Sequence, residues 1–286
     1  MELRKNYRND QLLRSSFNHL AEETFGLNFE AWYQNGFWGE NFNPYSMVDD
    51  GRVVANVSLN RTDFRIDGHI RKVYQLGTVM TAKDYRNRGL IREIMVEIDK
   101  DTADADGIYL FANDSVLDFY PKFGFTKSME YLFSRQVCQS GPCRMERIPM
   151  EGPEGWNRLS NAMRESKFQG ACDMVKNEGL LFFYVSQFMR DCVYYDRLLD
   201  TWVIAELEEG RLLLHNVFSS GNPQLDDVIA SFGTEVTEVV LGFTPIQSES
   251  FSCREFREDD CTFFVKGELF RDFGQRKLRI PSLSHA

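Results

Sequence analysis

The sequence predicts an α/β protein, mixed sheets flanked by helices, arranged as two domains, and three observations carry that expectation. Its 286 residues, 43% apolar and 27% charged, fit one large domain or two of ordinary size, with two the better expectation and apolar material enough for one or two cores. Stretches that alternate apolar and polar residues interleave with stretches at helical spacing, in the order β, α, (α), β, β, β, α, β, α, β. Beyond a break marked by Gly141-Pro142 and by Pro149, Gly152, Pro153 and Gly155, that order recurs in reduced form. The expected division is residues 1–140, then a second, smaller domain over 150–286 that is either a degenerate copy of the first or an α+β unit of its own.

Taken in order, a short strand at 2–6 precedes Asn9 or Asp10, either of which can cap a helix. Leu12, Leu13, Phe17, Leu20 and Ala21 recur at helical spacing up to Phe25-Gly26. An aromatic stretch follows, with Phe29, Trp32, Tyr33, Phe37, Trp38, Phe42 and Tyr45 broken by glycines and asparagines. Strands are expected at 45–48, at 52–60 after the Asp49-Asp50-Gly51 turn, and at 73–81. A helix over 89–101 should bury Ile91, Ile94, Met95 and Ile98. A strand at 108–111, a short helix at 115–123 and a strand at 125–135 complete the first half. In the second half, helices at 155–168 and 174–189 precede strands at 201–206 and 211–218. A helix at 224–232 and strands at 236–243 and 262–266 end it.

The chemistry concentrates where the strand ending in Val79-Met80-Thr81 runs through a loop into a helix. That loop reads Arg86-Asn87-Arg88-Gly89-Leu90-Ile91-Arg92. A helix start presents unpaired backbone N–H groups and the positive end of the helix dipole, and three guanidinium groups add charge. Such a place suits a pyrophosphate. Asn113 follows, and then Phe119-Tyr120-Pro121-Lys122-Phe123-Gly124-Phe125.

Arg86, Gly89, Asn113, Tyr120, Gly124 and Phe125 stand in step with the two motifs of the GNAT acetyltransferase superfamily, which residues 1–135 therefore resemble. The resemblance implies a GNAT-like N-terminal domain with acetyl-CoA as co-substrate and no metal. It implies that Val79, Met80 and Thr81 offer backbone groups to the pantetheine arm, with the N–H at Val79 as oxyanion donor to the thioester. Arg86, Asn87, Arg88, Gly89, Leu90, Ile91 and Arg92 would hold the pyrophosphate, and Asn113 would contact the CoA arm. Tyr120 would protonate the leaving thiolate. Ile91 departs from the family, which places Gly or Ala there, so its side chain has to turn into the core.

The amine must also lose a proton. Candidate acceptors are Glu30, Glu40, the Gln75 region, water, or the carboxylate of Ala286, the last by analogy with two-domain relatives of the enhanced-intracellular-survival type. Trp32, Trp38 and Tyr45 either wall an acceptor site or cover the core.

The whole chain narrows the function further. A formal net charge of −10 disfavours nucleic acid and anionic membrane as partners and suits a small-molecule amine. No run of 18 apolar residues exists, and the first residues lack the apolar stretch of a signal peptide, so a cytoplasmic place is expected. The six cysteines have neither a disulfide framework nor a zinc spacing. In the second half, Ser219-Ser220-Gly221-Asn222-Pro223-Gln224 stands where the phosphate loop would fall, without arginine and with a proline that removes a donor. That half is expected to bind no CoA and to shape the acceptor pocket or a homo-oligomer interface.

The function expected is transfer of an acetyl group from acetyl-CoA directly to a primary amine of a small cationic acceptor. The alternative is a non-catalytic acyl-CoA-binding or regulatory protein. Transfer from a charged tRNA fits the acidic chain less well.

Overall fold

The computed structural model describes residues 1–285, and the local signals set most of its elements. Asp10 Oδ1 accepts from the N–H groups of Leu12 (3.0 Å) and Leu13 (3.1 Å), which starts α1 (Gln11–Phe25). Gly26 ends that helix in the left-handed region, at φ 70°. Leu13, Phe17, Leu20 and Ala21 are buried along α1, whereas Leu12 lies off that stripe and is 81% exposed.

The first half contains β1 (Glu2–Arg4), α2 (Glu30–Gln34), β2 (Phe42–Asp49), β3 (Arg52–Arg61), β4 (Phe64–Ile66) and β5 (His69–Arg71). It continues with β6 (Val73–Thr81), α3 (Leu90–Asp101), β7 (Gly107–Ala112), β8 (Thr126–Lys127) and β9 (Glu130–Gln136). The second half opens with β10 (Glu146–Arg147), α4 (Pro153–Glu165), β11 (Cys172–Met174), α5 (Glu178–Gln187) and β12 (Val193–Asp196). It ends with β13 (Thr201–Glu208), β14 (Arg211–Ser219), α6 (Leu225–Ala230), β15 (Glu238–Leu241), β16 (Ser252–Phe256) and β17 (Thr262–Lys266). Strands β4, β5, β10, β11, β12 and β16 were not foreseen. The helix expected at 115–123 is instead two short 3-10 turns, Asp114–Val116 and Tyr120–Phe123, the second carrying Pro121.

The larger sheets run β1-β2-β3-β6-β7-β17-β8 and β10-β12-β13-β14-β15-β9-β16. Position by position these are the same order. In each, a parallel pair lies at the centre, β6 with β7 and β14 with β15. The second half is thus a reduced copy of the first, as the recurrence of elements suggested.

The sequence did not indicate that the copies exchange a strand. The stretch expected as one strand at 125–135 divides: β8 joins the first sheet, and β9 crosses to lie between β15 and β16 of the second. In return β17, from the second half, lies between β7 and β8. Each exchanged strand is interior to its new sheet, so withdrawing it would leave unpaired backbone groups on both neighbours.

One face of the first sheet packs under α1 and α3, with Phe17, Leu20, Ile94 and Ile98 in the core. The other face carries Val73, Tyr109, Phe263 and Val265, the last two from the exchanged strand, and packs against Phe64 of β4. Among the described residues no helix is long and apolar enough to cross a membrane.

Candidate active site

Strands β6 and β7 are paired only from Val73 with Gly107 to Leu76 with Leu110. Beyond Leu76 they part. On its other side β6 is paired with β3 at Gly77 and again at Met80, with a register shift between, so Thr78 and Val79 have a ladder partner on neither side. This is a β-bulge, and it holds Thr78 at φ 42°, a left-handed conformation that a β-branched residue rarely adopts. The backbone of Val79 therefore borders a gap in the sheet.

The gap opens into a cavity of about 770 Å³. It brings together the whole predicted set: Val79, Met80 and Thr81 from β6, the run from Arg86 to Arg92, Asn113, and Tyr120. Thr24 and Phe25 at the end of α1, Leu27 just beyond it, and Phe111 of β7 are also on the wall, and the sequence offered no signal for these four.

The basic end of the cavity is built by the start of α3. Gly89, the residue before the helix, has φ 78°, and no side chain caps the first-turn N–H groups. Asn87 is also left-handed, at φ 61°. A Cβ placed on Gly89 would meet nothing within 4 Å, so the space over this turn is open. Arg88 lies over the Tyr85 ring, 4.7 Å from its centroid, and donates to the Asp84 carbonyl at 2.6 Å. Arg86 and Arg92 are exposed beside the same turn. Uncapped N–H groups, the dipole of a twelve-residue helix and three cations fit a pyrophosphate. Ile91, the departure from the family pattern, is half-buried: it packs against the main core and also lines the cavity; Leu90, not Ile91, is the fully buried residue there.

Tyr120 stands at the other end. Its ring is 5.7 Å from Phe264 of the exchanged strand β17 and 5.4 Å from Phe119. Burial pushes its hydroxyl up to about 12, so it keeps its proton through the neutral range. Asn113 is on the wall, but its Nδ2 donates to Asp260 Oδ2 at 2.9 Å, and the Asp114 N–H donates to Asp260 Oδ1 at 2.7 Å.

The other candidates are elsewhere. Trp32, Trp38 and Tyr45 are buried in the core; Trp32 Nε1 donates to the Gly179 carbonyl and Tyr45 donates to Asp101, so they wall no acceptor site. Glu30 is bonded by Arg14 Nε at 2.7 Å, which holds its carboxyl below the usual range and makes it a poor base. Glu40 is exposed and paired with Arg8. Gln75 is buried in β6, and Ala286 lies outside the described residues.

The structure adds a carboxyl that the sequence did not single out. Glu130, 4% exposed, accepts from the Ile280 N–H at 2.8 Å, and burial raises its pKa to about 7. It lines a second cavity of about 470 Å³ that shares Phe111 with the first and carries Asp114, Glu255, Glu258, Asp259 and Asp260. The His285 ring is stacked on Phe111 at 3.8 Å.

In the second copy the corresponding gap is bridged by the chain itself. The β13–β14 register shift leaves His215 without a ladder partner, the counterpart of the first copy's bulge. Ser282 crosses the gap: its N–H donates to the Gly242 carbonyl at 2.8 Å, and its Oγ lies 2.7 Å from His215 Nδ1.

A sheet parted at a bulge, beside an uncapped basic helix start and a buried tyrosine, is the arrangement that the resemblance to the GNAT superfamily implies. The comparisons with known proteins agree. Residues 10–128 match the family model described as the acetyltransferase (GNAT) domain. A conserved protein of Enterococcus faecalis V583 described as a probable N-acyltransferase superposes with a TM-score of 0.62 at 15% identity, over 95% of this chain and 74% of that one. Eis1 of Mycobacterium abscessus gives 0.55 at 12%, over 92% and 73%. A GCN5-related N-acetyltransferase of Kribbella flavida gives 0.55 at 15%, over 93% and 72%. At such identities the likeness establishes the two-copy fold. No curated protein matches the sequence significantly.

Proposed function

We propose that this protein transfers the acetyl group of acetyl-CoA directly to a primary amine of a small cationic acceptor. One observation carries the reading: the bulge at Val79, the Arg86 to Arg92 turn and Tyr120 line a single cavity. The turn and its arginines hold the pyrophosphate. The Val79 N–H donates to the thioester oxygen as negative charge develops there. The amine nitrogen bonds to the acetyl carbon, the carbon–sulfur bond breaks, and the sulfur leaves as a thiolate to which the Tyr120 hydroxyl donates a hydrogen bond. The proton lost by the amine needs an acceptor near neutrality, and the raised pKa of Glu130 suits it to that part.

The cationic acceptor is supported by the net charge of −10 and by the carboxylate-lined cavity behind Phe111. The second copy binds no CoA in this reading. Its loop carries Pro223, Asp226 and Asp227 in place of arginines, and Ser282 occupies its gap.

The test is thiol release from acetyl-CoA across amines, polyamines, aminoglycosides and peptides. Release that depends on a small polycationic amine is the expected result. A protein that binds CoA but releases no thiol with any of them would be an acyl-CoA-binding protein instead.

A further inference from the structure

Behind the bulge runs a chain of buried polar side chains. Ser46, Asn56 and Ser58 are fully buried in β2 and β3, and Tyr7 is 4% exposed. Ser46 Oγ donates to Asn56 Oδ1 at 2.8 Å. Its proton being so used, the 2.7 Å contact between Tyr7 Oη and Ser46 Oγ has tyrosine as the donor. On the far side, Asn56 Nδ2 donates to the Thr78 carbonyl at 2.9 Å, with Ser58 Oγ at 3.0 Å and Thr78 Oγ1 at 3.3 Å. The Thr78 hydroxyl is bonded in turn to Ser58. The relay therefore runs one way, from Tyr7 through Ser46 and Asn56 to the carbonyl of residue 78.

That carbonyl belongs to the same peptide unit as the N–H of Val79. Among the described residues there is no cis peptide bond, and in a trans unit the C=O and N–H point in opposite directions. Fixing the Thr78 oxygen toward Asn56 on β3 therefore aims the Val79 N–H away from β3. That is the side on which β7 has parted from β6 and the cavity opens. A hydrogen bond to the carbonyl also polarises the peptide and strengthens its N–H as a donor. Thr78 needs such a hold, because its left-handed φ of 42° is not one that its own side chain favours.

We infer that Asn56 is a positioning residue for acyl transfer, which orients the Val79 N–H toward the thioester through the Thr78 carbonyl and has Tyr7 and Ser46 as its support. The inference rests on the acetyl-transfer reading for its chemistry. Asn56 itself touches no substrate, and its effect falls on turnover and not on CoA affinity.

Asn56→Asp keeps the shape and the acceptor facing Ser46 but removes the donor facing Thr78. Two readouts apply to the full chain: single-turnover acetyl transfer, and the infrared carbonyl band of bound acetyl-CoA carrying 13C at the thioester carbon. In the unaltered protein the band should lie below that of free acetyl-CoA. In Asn56→Asp it should return most of the way, transfer should slow by about ten-fold or more, and the CoA dissociation constant should stay within about three-fold. Thr78→Gly added to Asn56→Asp should recover part of the rate, since glycine takes the left-handed conformation unaided.

If Asn56→Asp fails to fold, Tyr7→Phe, which cuts the relay at its outer end, should move the band in the same direction by less. A band unchanged in a folded variant would overturn the inference, as would a parallel loss of CoA affinity. A shifted band in a protein that acetylates no amine would instead overturn the transfer reading and leave the positioning intact.

Discussion

Replacing Tyr120 by phenylalanine removes one oxygen and nothing else from the site. Among the described residues its hydroxyl has no hydrogen-bond partner, so no donor or acceptor is orphaned, and the ring keeps its contacts with Phe119, Phe125 and Phe264. Stability should change by less than about 0.5 kcal/mol. The catalytic loss can be bounded from the pKa. A thiol ionises near ~8.5, whereas burial pushes Tyr120 to about 12. Full proton transfer to a relaxed thiolate would then be uphill by roughly 5 kcal/mol, at 1.36 kcal/mol per unit.

Tyr120 therefore acts mainly by donating to sulfur as charge builds. A hydrogen bond to a charged group contributes about 1.5–3 kcal/mol, or roughly ten- to a hundred-fold in rate. Single-turnover transfer should fall by that factor in Tyr120→Phe while calorimetry gives a CoA dissociation constant within about three-fold of the original. Because the hydroxyl holds its proton to about 12, the rate should show no loss from Tyr120 ionisation below pH ~10. Equal rates in the two proteins would return Tyr120 to the core aromatics. A parallel loss of affinity would make it a binding residue.

Gly89→Glu should weaken CoA by more than about ten-fold, because it sets a carboxylate over the phosphate turn. Gly89→Ala is the control that carries only the left-handed strain, about 1–2 kcal/mol, and unchanged affinity in a folded Gly89→Glu protein would remove the pyrophosphate from this loop. Since β9 and β17 are interior to each other's sheets, calorimetry should record one unfolding transition for the chain, and residues 1–140 or 150–286 alone should give no sharp transition; two separated transitions would count against a coupled pair of cores. Glu130 gains a proton affinity on folding, with its pKa raised from 4.5 to about 7. The folded state then binds more protons than the unfolded one across that window. Its contribution is complete below pH ~4.5 and is lost as pH rises through ~7, a change of roughly 3 kcal/mol. Glu130→Gln should flatten the fall in melting temperature between pH 5 and 8, and an equally steep fall in both proteins would exclude Glu130 as its source.

Much of the candidate site could be read from the sequence because its parts are local. The loop from Arg86 to Arg92 presents backbone groups and charges that its own residues supply, and Gly89 supplies the left-handed turn before the helix. Tyr120 and Gly124 lie within one short segment. Other assignments stayed open where several environments satisfy the same pattern. An aromatic stretch suits a core as well as a pocket, and Trp32 and Trp38 went to the core, where their indole N–H groups found the carbonyls of Gly179 and Phe42. Asn113 was placed on the right wall, but nothing near it in the sequence announced Asp260 as its partner.

The sequence by itself determined the helix caps, the turn at Gly89, the alternation that makes strands, and the repetition of one element order in two halves. These depend on residues a few positions apart and on backbone geometry that each residue carries with it. Only the tertiary structure decided which sheet each strand completes, that the β6 bulge rests on the relay from Tyr7 to Asn56, and that Tyr120 is seated against Phe264. A strand's alternating pattern fits the middle of either sheet equally well. The choice between them is made by ladder bonds and packing among residues more than a hundred positions apart, such as Phe111 with Phe263.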